Sequence, residues 1–413
     1  MKLKLLLLIA PLLVSGDNLK ELIDFATIHN DLVIAKNYTL ASKAKEVESK
    51  QSAYFPTVDI GGFYQRDDEA SPFQAGDVYS GFAKVGLDIY DGGKKSSQIE
   101  QSRLSLLSST YDKKAYKKSL ALQITEDFFT IKSLESTLNT REEANKSLKA
   151  QLQRITRFYE AKMATKDDVD RVQADFDTNI YNMESIKFQI LSLKSQLELK
   201  VGKRISSLEK SSFIKNSSKN YKTLDSAHAL ISQKSSIQKG ASAIDSFYYP
   251  NLRVEDTYSL YGYERIDPNL IALNASPLDK QNTLLLTLNL RVFDYGNIAK
   301  TKEAVLLNAQ ALEAQILYQT KEQKVQYELS IARIKTANAR IKSALSALNA
   351  ATSAFETIEK KYNAGIVDYI VYLDSLTKKT NSKALYESGL NDLEIAYATL
   401  YYYEAKDITE ELQ

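Results

Sequence analysis

The sequence predicts an α+β membrane protein made of two internal repeats, each of which combines a β-hairpin with long helices. Three observations support this fold class. Corresponding motifs recur roughly 200 residues apart, which indicates a duplicated unit. Four segments alternate polar and apolar residues, as strands do. The stretches that follow each pair of strands are long and almost free of Gly and Pro, as extended helices require.

The repeat rests on paired motifs that occur in the same order in both halves. The pairs are Tyr54-Phe55-Pro56 with Tyr248-Tyr249-Pro250, Ile89–Gly93 with Val292–Gly296, and Arg157–Ala161 with Lys360–Ala364. A Ser-, Lys- and Asn-rich stretch lies between the halves. The predicted organisation is a signal peptide (1–16), a first repeat (17–202, with a helix, a β-hairpin at 54–91 and long helices at 93–201), a junction (203–225), a second repeat (226–403, with a helix, a β-hairpin at 247–294 and long helices at 296–403) and a C-terminal tail (404–413).

The strand predictions rest on period-two alternation, and they cover Thr57–Gln65, Tyr79–Tyr90, Asn251–Leu260 and Asn282–Val292. The last segment is the clearest, since leucines occupy every second position from 284 to 290, whereas Asp256 interrupts the apolar side of the third. Strands of about ten residues, apolar outside and polar inside, are typical of a membrane β-barrel. A soluble sandwich with one buried face is the alternative. Four strands are too few to close a barrel, so several copies would have to share one.

The helical segments are longer than an ordinary globular domain needs. No Gly or Pro occurs from Lys94 to Lys200, and a helix of about 50 residues is roughly 75 Å long. Apolar side chains recur at steps of three, four or seven, which predicts coiled-coil seams. These positions are Ile124, Phe128, Ile131, Leu134, Leu138, Leu148, Leu152, Ile155, Tyr159, Ile341, Leu345, Leu348, Thr352, Phe355 and Tyr362. Breaks near Tyr159–Lys166 and Tyr362–Asp368 predict two tight turns at the same end.

The composition argues against several classes of function. The net charge is +2, so nothing favours a nucleic-acid partner, which requires a concentrated basic face. The chain has no Cys and two distant His, which gives no support for a disulfide or a metal centre. No nucleophile elbow, phosphate-binding Gly loop or HExxH pattern is present. We therefore expect neither an enzyme nor a cofactor.

The first residues have the character of an export signal. Lys2 and Lys4 form a charged start, and an apolar run spans Leu3–Val14. Small residues follow near a predicted cleavage point at Gly16–Asp17. A membrane anchor helix is the alternative, but the run is shorter than the roughly 20 apolar residues that a span requires. An exported chain of this kind is expected in the periplasm, outside the cell or in a membrane β-barrel.

The motifs together resemble TolC-type outer-membrane efflux proteins (outer membrane factors). The most specific element is the second turn, Tyr362–Val367, followed by Asp374 and an aromatic helix end at Tyr401-Tyr402-Tyr403. The first turn, Tyr159–Ala164, is similar, although Lys162 replaces the family's usual Gly. His29-Asn30-Asp31 stands where the family often has Asn-Pro.

This resemblance implies an assembly and a set of partners. The chain would form a homotrimer in which each copy gives four strands to one β-barrel in the outer-membrane lipid, continued by a long periplasmic α-helical barrel. The partners would be a periplasmic adaptor (membrane fusion) protein and an inner-membrane pump, either proton-driven or of the ABC type. The implied location is the outer membrane of a Gram-negative bacterium, with a large periplasmic part.

The resemblance also implies pore and gate residues. Asp374 would face the pore axis, where three copies make a carboxylate ring that attracts cations. The alternative is a solvated carboxylate on a helix face. Val371 and Val367 replace an acidic and a basic residue that are common in the family, so we expect one acidic ring and fewer polar links in the closed state. Tyr362 and Asp168 match positions that link neighbouring helices.

The two turns are the expected docking surface for the adaptor. The residues are Ala161, Lys162 and Met163 in the first turn and Ala364, Gly365 and Ile366 in the second. Small residues at a turn allow another helical hairpin to approach closely. Gly365 has an alternative explanation, since a left-handed turn conformation alone requires glycine.

Three functions remain open at this point. The first is a passive exit duct for drugs or other small molecules in a tripartite efflux system. The second is the same duct used for type I protein secretion, which residue patterns cannot separate from efflux because a duct has no energy-coupling site. The third is a periplasmic coiled-coil scaffold without a pore.

Overall fold

A computed structural model describes residues 17–68, 75–216, 221–266 and 277–413. The predicted signal peptide lies outside these residues. The α-helices are α1 (Leu19–His29), α2 (Asp31–Ser52), α3 (Lys94–Glu160), α4 (Lys166–Val201), α5 (Asp225–Asp245), α6 (Asn297–Asn363) and α7 (Tyr369–Tyr403). The strands are β1 (Thr57–Arg66), β2 (Asp77–Tyr90), β3 (Asn251–Glu264) and β4 (Lys280–Asn289). Two 3₁₀ helices cover Ser246–Tyr248 and Ile408–Glu411.

The order of these elements confirms the predicted fold class. Each half of the chain runs from helix to β-hairpin to a very long helix and then to a long helix. The lengths also match, since α3 and α6 both have 67 residues, whereas α4 has 36 and α7 has 35. At 1.5 Å per residue, α3 and α6 are each about 100 Å long. Among the described residues, no helix is both long and apolar enough to cross a membrane.

The chain forms two compact units, and each unit contains segments from both repeats. Unit 1 takes its described residues from Met1–Asn37, Lys113–Asp225 and Gln319–Gln413, and unit 2 takes its own from Tyr38–Asp112 and Ser226–Tyr318. The sheet belongs to unit 2, whereas both helical turns belong to unit 1.

The sheet of unit 2 is antiparallel throughout, with the order β1-β2-β3-β4. Its register places Asp59 beside Lys84 and Lys84 beside Thr257, so polar residues line one face. The opposite face is apolar and exposed; its members include Val58, Ile60, Val85, Leu284, Leu286 and Leu288. Polar residues interrupt that face at Asp256, opposite Val85, and at Asn282 and Lys280, opposite Tyr258 and Leu260. Among the described strands, β1 pairs only with β2 and β4 only with β3, so both outer edges are unpaired.

The fourth strand is shorter than predicted. We expected it to extend to Val292, but it ends at Asn289, which pairs with Asn251. The register places Pro250 opposite Leu290. Proline has no backbone N–H, so the ladder cannot continue past this point. Alternation within one strand predicts which residues share a face, but it does not predict where the partner strand ends the pairing.

The main core lies in unit 1, where α1, α3, α4, α7 and the junction meet. The predicted seam residues Ile124, Phe128 and Ile131 are fully buried there. The seam prediction is wrong at Tyr159 and Leu345, which are 45% and 40% exposed. Helical spacing identifies an apolar stripe, but the stripe is buried only where another helix faces it.

A buried asparagine separates α1 from α2. The Asn30 side-chain oxygen accepts hydrogen bonds from the backbone N–H groups of Leu32 (2.9 Å) and Val33 (3.2 Å). Its amide nitrogen donates to the carbonyl of Lys200 at 2.8 Å. Asn30 therefore interrupts the first helix and starts the second without the proline that its position in the resemblance suggested.

The junction between the repeats is packed into unit 1 rather than exposed. Phe213 is 1% exposed and pairs with Leu412 of the C-terminal tail. The Tyr401 hydroxyl donates to the carbonyls of Ile214 and Asn216, the latter at 3.0 Å. Burial raises the pKa of Tyr401 to about 12, so the phenol stays protonated and keeps these bonds at neutral pH.

Candidate functional site

The two helical turns of unit 1 have the same hydrogen-bond pattern. In the first, the N–H of Lys162 donates to the carbonyl of Tyr159 (2.9 Å) and the N–H of Met163 to that of Phe158 (2.7 Å). In the second, Gly365 donates to Tyr362 (3.0 Å) and Ile366 to Lys361 (2.8 Å). These are paired C-terminal caps of the Schellman type, which satisfy the last carbonyls of α3 and α6.

The pattern places one residue of each turn in the left-handed region. These residues are Lys162, with a φ of 60°, and Gly365, with a φ of 73°. Glycine adopts this conformation freely, whereas lysine meets steric strain between its Cβ and the backbone. The next residues, Met163 and Ile366, expose 74% and 71% of their surface. Each turn therefore presents an apolar side chain to solvent.

Arg154 of α3 brings the two turns together. Its Nη1 donates to Oδ1 of Asn363 at 3.0 Å. Its guanidinium also lies 4.9 Å from the ring centre of Tyr362 and 5.3 Å from that of Phe158. These direct contacts place both turns at the same end of the helices of unit 1, as the sequence predicts.

An aromatic cluster supports the second turn. The Tyr362 and Tyr372 rings are stacked with centres 4.8 Å apart, and Phe355 lies 5.7 Å from Tyr372. Tyr369 joins the cluster, and its hydroxyl donates to Oδ2 of Asp175 on α4 at a long 3.5 Å. Burial raises the pKa of each of the three phenols and also that of Asp175. The three tyrosines are uncharged at neutral pH.

Asp168 takes part in the N-terminal cap of α4. Its Oδ2 accepts from the backbone N–H of Thr165 (3.0 Å) and from the Thr165 hydroxyl (2.7 Å), while Thr165 Oγ1 accepts from the N–H of Asp168 (3.3 Å). This is a capping box. The hydrogen bonds from Thr165 lower the pKa of Asp168. The observed contacts of its carboxylate are therefore local, and a link to a neighbouring helix stays a prediction.

Asp374 lies on α7, two residues after Tyr372 of the cluster. Its carboxylate is 60% exposed and forms an ion pair with Lys378 at 2.7 Å, an i,i+4 contact on one helix face. Val371, on the same helix, is 41% exposed. The structure thus places Asp374 on an open surface, as a pore residue or a solvated carboxylate would be, and adds a cation that the pore hypothesis did not consider.

The predicted site residues fall into two groups. Tyr362 and the docking residues Ala161, Lys162, Met163, Ala364, Gly365 and Ile366 belong to the end of unit 1 where the turns meet. Among the described residues, Asp168 bonds to its own helix cap and Asp374 pairs with Lys378 of its own helix. In the part of the chain that the structure describes, no group of His, Cys, Asp and Glu could hold a metal ion.

Sequence reasoning missed four residues at this end of unit 1. They are Arg154, Asp175, Tyr369 and Tyr372. The tyrosines had a usable signal, because Tyr369 and Tyr372 are three residues apart on one helix face and Tyr362 lies just before the turn. Arg154 and Asp175 had none, because their partners lie 209 and 194 residues away in sequence.

Comparison with known proteins shows what the chain is similar to. Residues 22–198, which make up most of the first repeat, match the model of the outer membrane efflux protein family. Over these residues the chain is similar to that family. No curated protein matches the chain.

Solved structures share the fold of this chain over most of its length. The CmeC outer membrane channel of Campylobacter jejuni has a TM-score of 0.82 at 12% identity, covering 94% of this chain and 86% of its own. The open-state MtrE outer membrane channel of Neisseria gonorrhoeae gives 0.75 at 13%, covering 94% and 89%. The outer membrane protein VceC of Vibrio cholerae gives 0.74 at 14%, covering 94% and 96%. Such low identities establish the fold alone.

Proposed function

We propose that this chain is the outer-membrane channel of a tripartite efflux system and passively conducts drugs or other small molecules to the outside. The observation that carries the proposal is the two-faced sheet of unit 2, whose apolar face is exposed and whose outer edges are unpaired. Exposed apolar strands suit lipid, and open strand edges require a partner strand. The family match supplies the link to efflux.

A homotrimer is the assembly that we propose. Four strands cannot enclose a pore alone, whereas three copies joined from β4 of one chain to β1 of the next close a barrel without edges. The apolar face would then contact outer-membrane lipid, and the polar face would line the duct. The helices of unit 1 would lie in the periplasm.

The turns are the surface that we propose for a periplasmic adaptor, which would connect the duct to an inner-membrane pump. Ala364 and Gly365 are small and exposed, and they allow a partner helix to approach closely. Met163 and Ile366 supply the apolar contact area. At the same end, Tyr362 and Asp168 are proposed as gate residues and Asp374 as the pore residue. A conduit of this kind needs no catalytic group and no cofactor.

Detergent extraction followed by planar-bilayer recording tests the proposal. We expect a particle of three chains and discrete cation-sensitive channel currents. A monomer without conductance would contradict the channel. Release of the protein from membranes without detergent would instead favour a periplasmic scaffold.

A further inference from the structure

A cleft of about 450 Å³ lies in unit 2 where the sheet meets the start of α3. Its walls include Lys94, Phe247, Tyr249, Asn251, Asn289 and Arg291. The Lys94 Nζ lies 5.1 Å from the Phe247 ring centre, and the Arg291 guanidinium lies 5.9 Å from it. Two cations therefore flank one aromatic ring, which is itself 44% exposed.

Within the described ranges, neither Lys94 nor Arg291 forms an ion pair with a carboxylate. The carboxylate that lines the cleft, Asp91, is already engaged: its Oδ1 accepts from the N–H of Gly93 (3.0 Å) and its Oδ2 from the N–H of Lys95 (2.7 Å). The cleft consequently has positive charge available to a ligand.

The neighbouring cations are paired with carboxylates, unlike the two cations that line the cleft. Lys95 contacts Asp88 at 3.2 Å, and Asp88 contacts Arg253 at 2.9 Å. Arg253 and Lys84 both contact Glu255 at 3.6 Å. Asp88 and Glu255 of the sheet neutralise the paired cations. The two cations beside Phe247 are available to bind an anion.

Two lining residues of the cleft belong to the polar face of the sheet. Asn251 and Asn289 are paired in register on the face that carries Arg253 and Thr287, and Arg291 lies two residues beyond the end of β4. If the polar face lines the duct, as proposed above, a molecule passing along it would meet this cleft.

We infer that the cleft is a binding site for amphipathic organic anions in transit through the duct; this inference rests on the proposed function. The anionic group lies between Lys94 and Arg291, where charge-assisted hydrogen bonds are strongest. An aromatic or apolar body packs on Phe247 and Tyr249, and the amides of Asn251 and Asn289 offer further donors. Binding at such an open site is weak, as conduction requires.

Current block by naphthalene-2-sulfonate in planar bilayers tests the site. The double variant Lys94→Gln/Arg291→Gln should weaken block about tenfold, since two charge-assisted contacts are lost, and should shift the reversal potential in a KCl gradient toward cation selectivity. Phe247→Leu should weaken block by the aromatic sulfonate but leave block by an aliphatic sulfonate of similar length unchanged.

The matched control is Lys234→Gln/Lys302→Gln, which removes the same charge from two paired lysines of unit 2. Lys302 contacts Asp245 at 2.8 Å and Lys234 contacts Glu313. This control should retain block within about twofold, because long-range charge effects are screened by salt. Equal weakening in both double variants would overturn the site and leave a general charge effect.

Two further outcomes separate this inference from the proposed function. If the wild-type protein does not conduct, the channel proposal fails, and calorimetric titration of the detergent-solubilised chain with the same sulfonate still tests the cleft. If the Lys94→Gln/Arg291→Gln variant loses its oligomeric state with sulfonate affinity unchanged, the cleft is a contact between copies and the inference is wrong.

Discussion

At the residue scale, Lys162 and Gly365 occupy equivalent positions in two turns with the same hydrogen bonds. Lys162 adopts a φ of 60° and therefore carries strain that Gly365 does not. The repeat preserved the backbone of the turn but not the residue best suited to it. A surface lysine at this position also adds a charge to one of the two proposed docking turns.

We expect Lys162→Gly to stabilise the protein by about 0.5–1 kcal/mol, because relief of left-handed strain exceeds the added entropy of the unfolded chain. For a chain of this length the thermal midpoint should rise by about 1 °C, measured by scanning calorimetry. Ala161→Gly, at the preceding position where φ is not positive, is the control and should not raise the midpoint.

A second prediction at this scale concerns Asp374 and its neighbour Lys378. If three Asp374 carboxylates form a ring, Asp374→Ala should abolish block by divalent cations in bilayer recordings. Lys378→Gln should strengthen that block, because the ion pair at 2.7 Å partly neutralises the carboxylate. Unchanged current and block in both variants would show that Asp374 is a solvated helix-face residue.

At the element scale, the helix ends define the turn end of unit 1. The capping box at Thr165 and Asp168 starts α4, and the side chain of Asp368 accepts from the N–H of Val371 to start α7. Each cap satisfies backbone donors that the helix leaves unpaired. The aromatic cluster then holds α6 against α7 without using the positions that carry polar residues in relatives.

We expect Thr165→Ala to lower stability at pH 7 by about 1 kcal/mol, the usual loss for a missing cap. The Thr165 hydrogen bonds lower the pKa of Asp168 from its ordinary value of 3.8. The carboxylate's stabilisation is therefore complete above that ordinary value and disappears as pH falls through the lower folded pKa.

Thermal midpoints of wild type and Thr165→Ala should consequently converge on going from pH 7 to pH 3. Thr156→Ala is the control, since the Thr156 hydroxyl donates to the carbonyl of Leu152 inside α3, near its C-terminal end. A midpoint difference for Thr165→Ala that is independent of pH would contradict the role of the Asp168 carboxylate.

Arg154 gives a second prediction at the element scale. Its ring contacts are worth about 0.5–1 kcal/mol each, so Arg154→Gln should raise the resting current of the closed channel about two- to five-fold. Arg157→Gln is the matched control, because Arg157 Nε donates to the carbonyl of Gln153 on its own helix. Equal resting currents for the two variants would show that Arg154 does not stabilise the closed channel.

At the scale of the whole molecule, the two faces of the sheet decide which surface can meet lipid. Leu286 is 63% exposed on the apolar face, and Thr283, opposite Thr257, lies on the polar face of the same strand. An arginine on the lipid side of a barrel costs about 2–4 kcal/mol at mid-depth, whereas the inner side tolerates charge.

Leu286→Arg should therefore reduce the amount of assembled protein in outer-membrane fractions severalfold, and Thr283→Arg should leave it near wild type. Heat-modifiable mobility of the membrane fraction measures the assembled form. Equal assembly of both variants would mean that the Leu286 face does not contact lipid.

Local patterns determined much of this protein. Alternation located the strands, since a two-sided environment imposes a period of two, and Gly and Pro scarcity located the long helices. The paired motifs placed both turns, and their residues carried the resemblance to the efflux family. These features depend on near neighbours in sequence, so the sequence by itself contains them.

Tertiary structure alone decided the rest. The compact units combine segments of both repeats. The two hairpins are joined by the pairing of β2 with β3, and helices of both halves share the main core. Pro250 lies opposite Leu290 and ends β4, and Leu345 is 40% exposed although it follows the apolar spacing of its helix. Arg154 reaches Asn363 across 209 residues, and Lys94 and Arg291 meet at one phenylalanine ring. Such contacts depend on packing between distant segments, which no local pattern encodes.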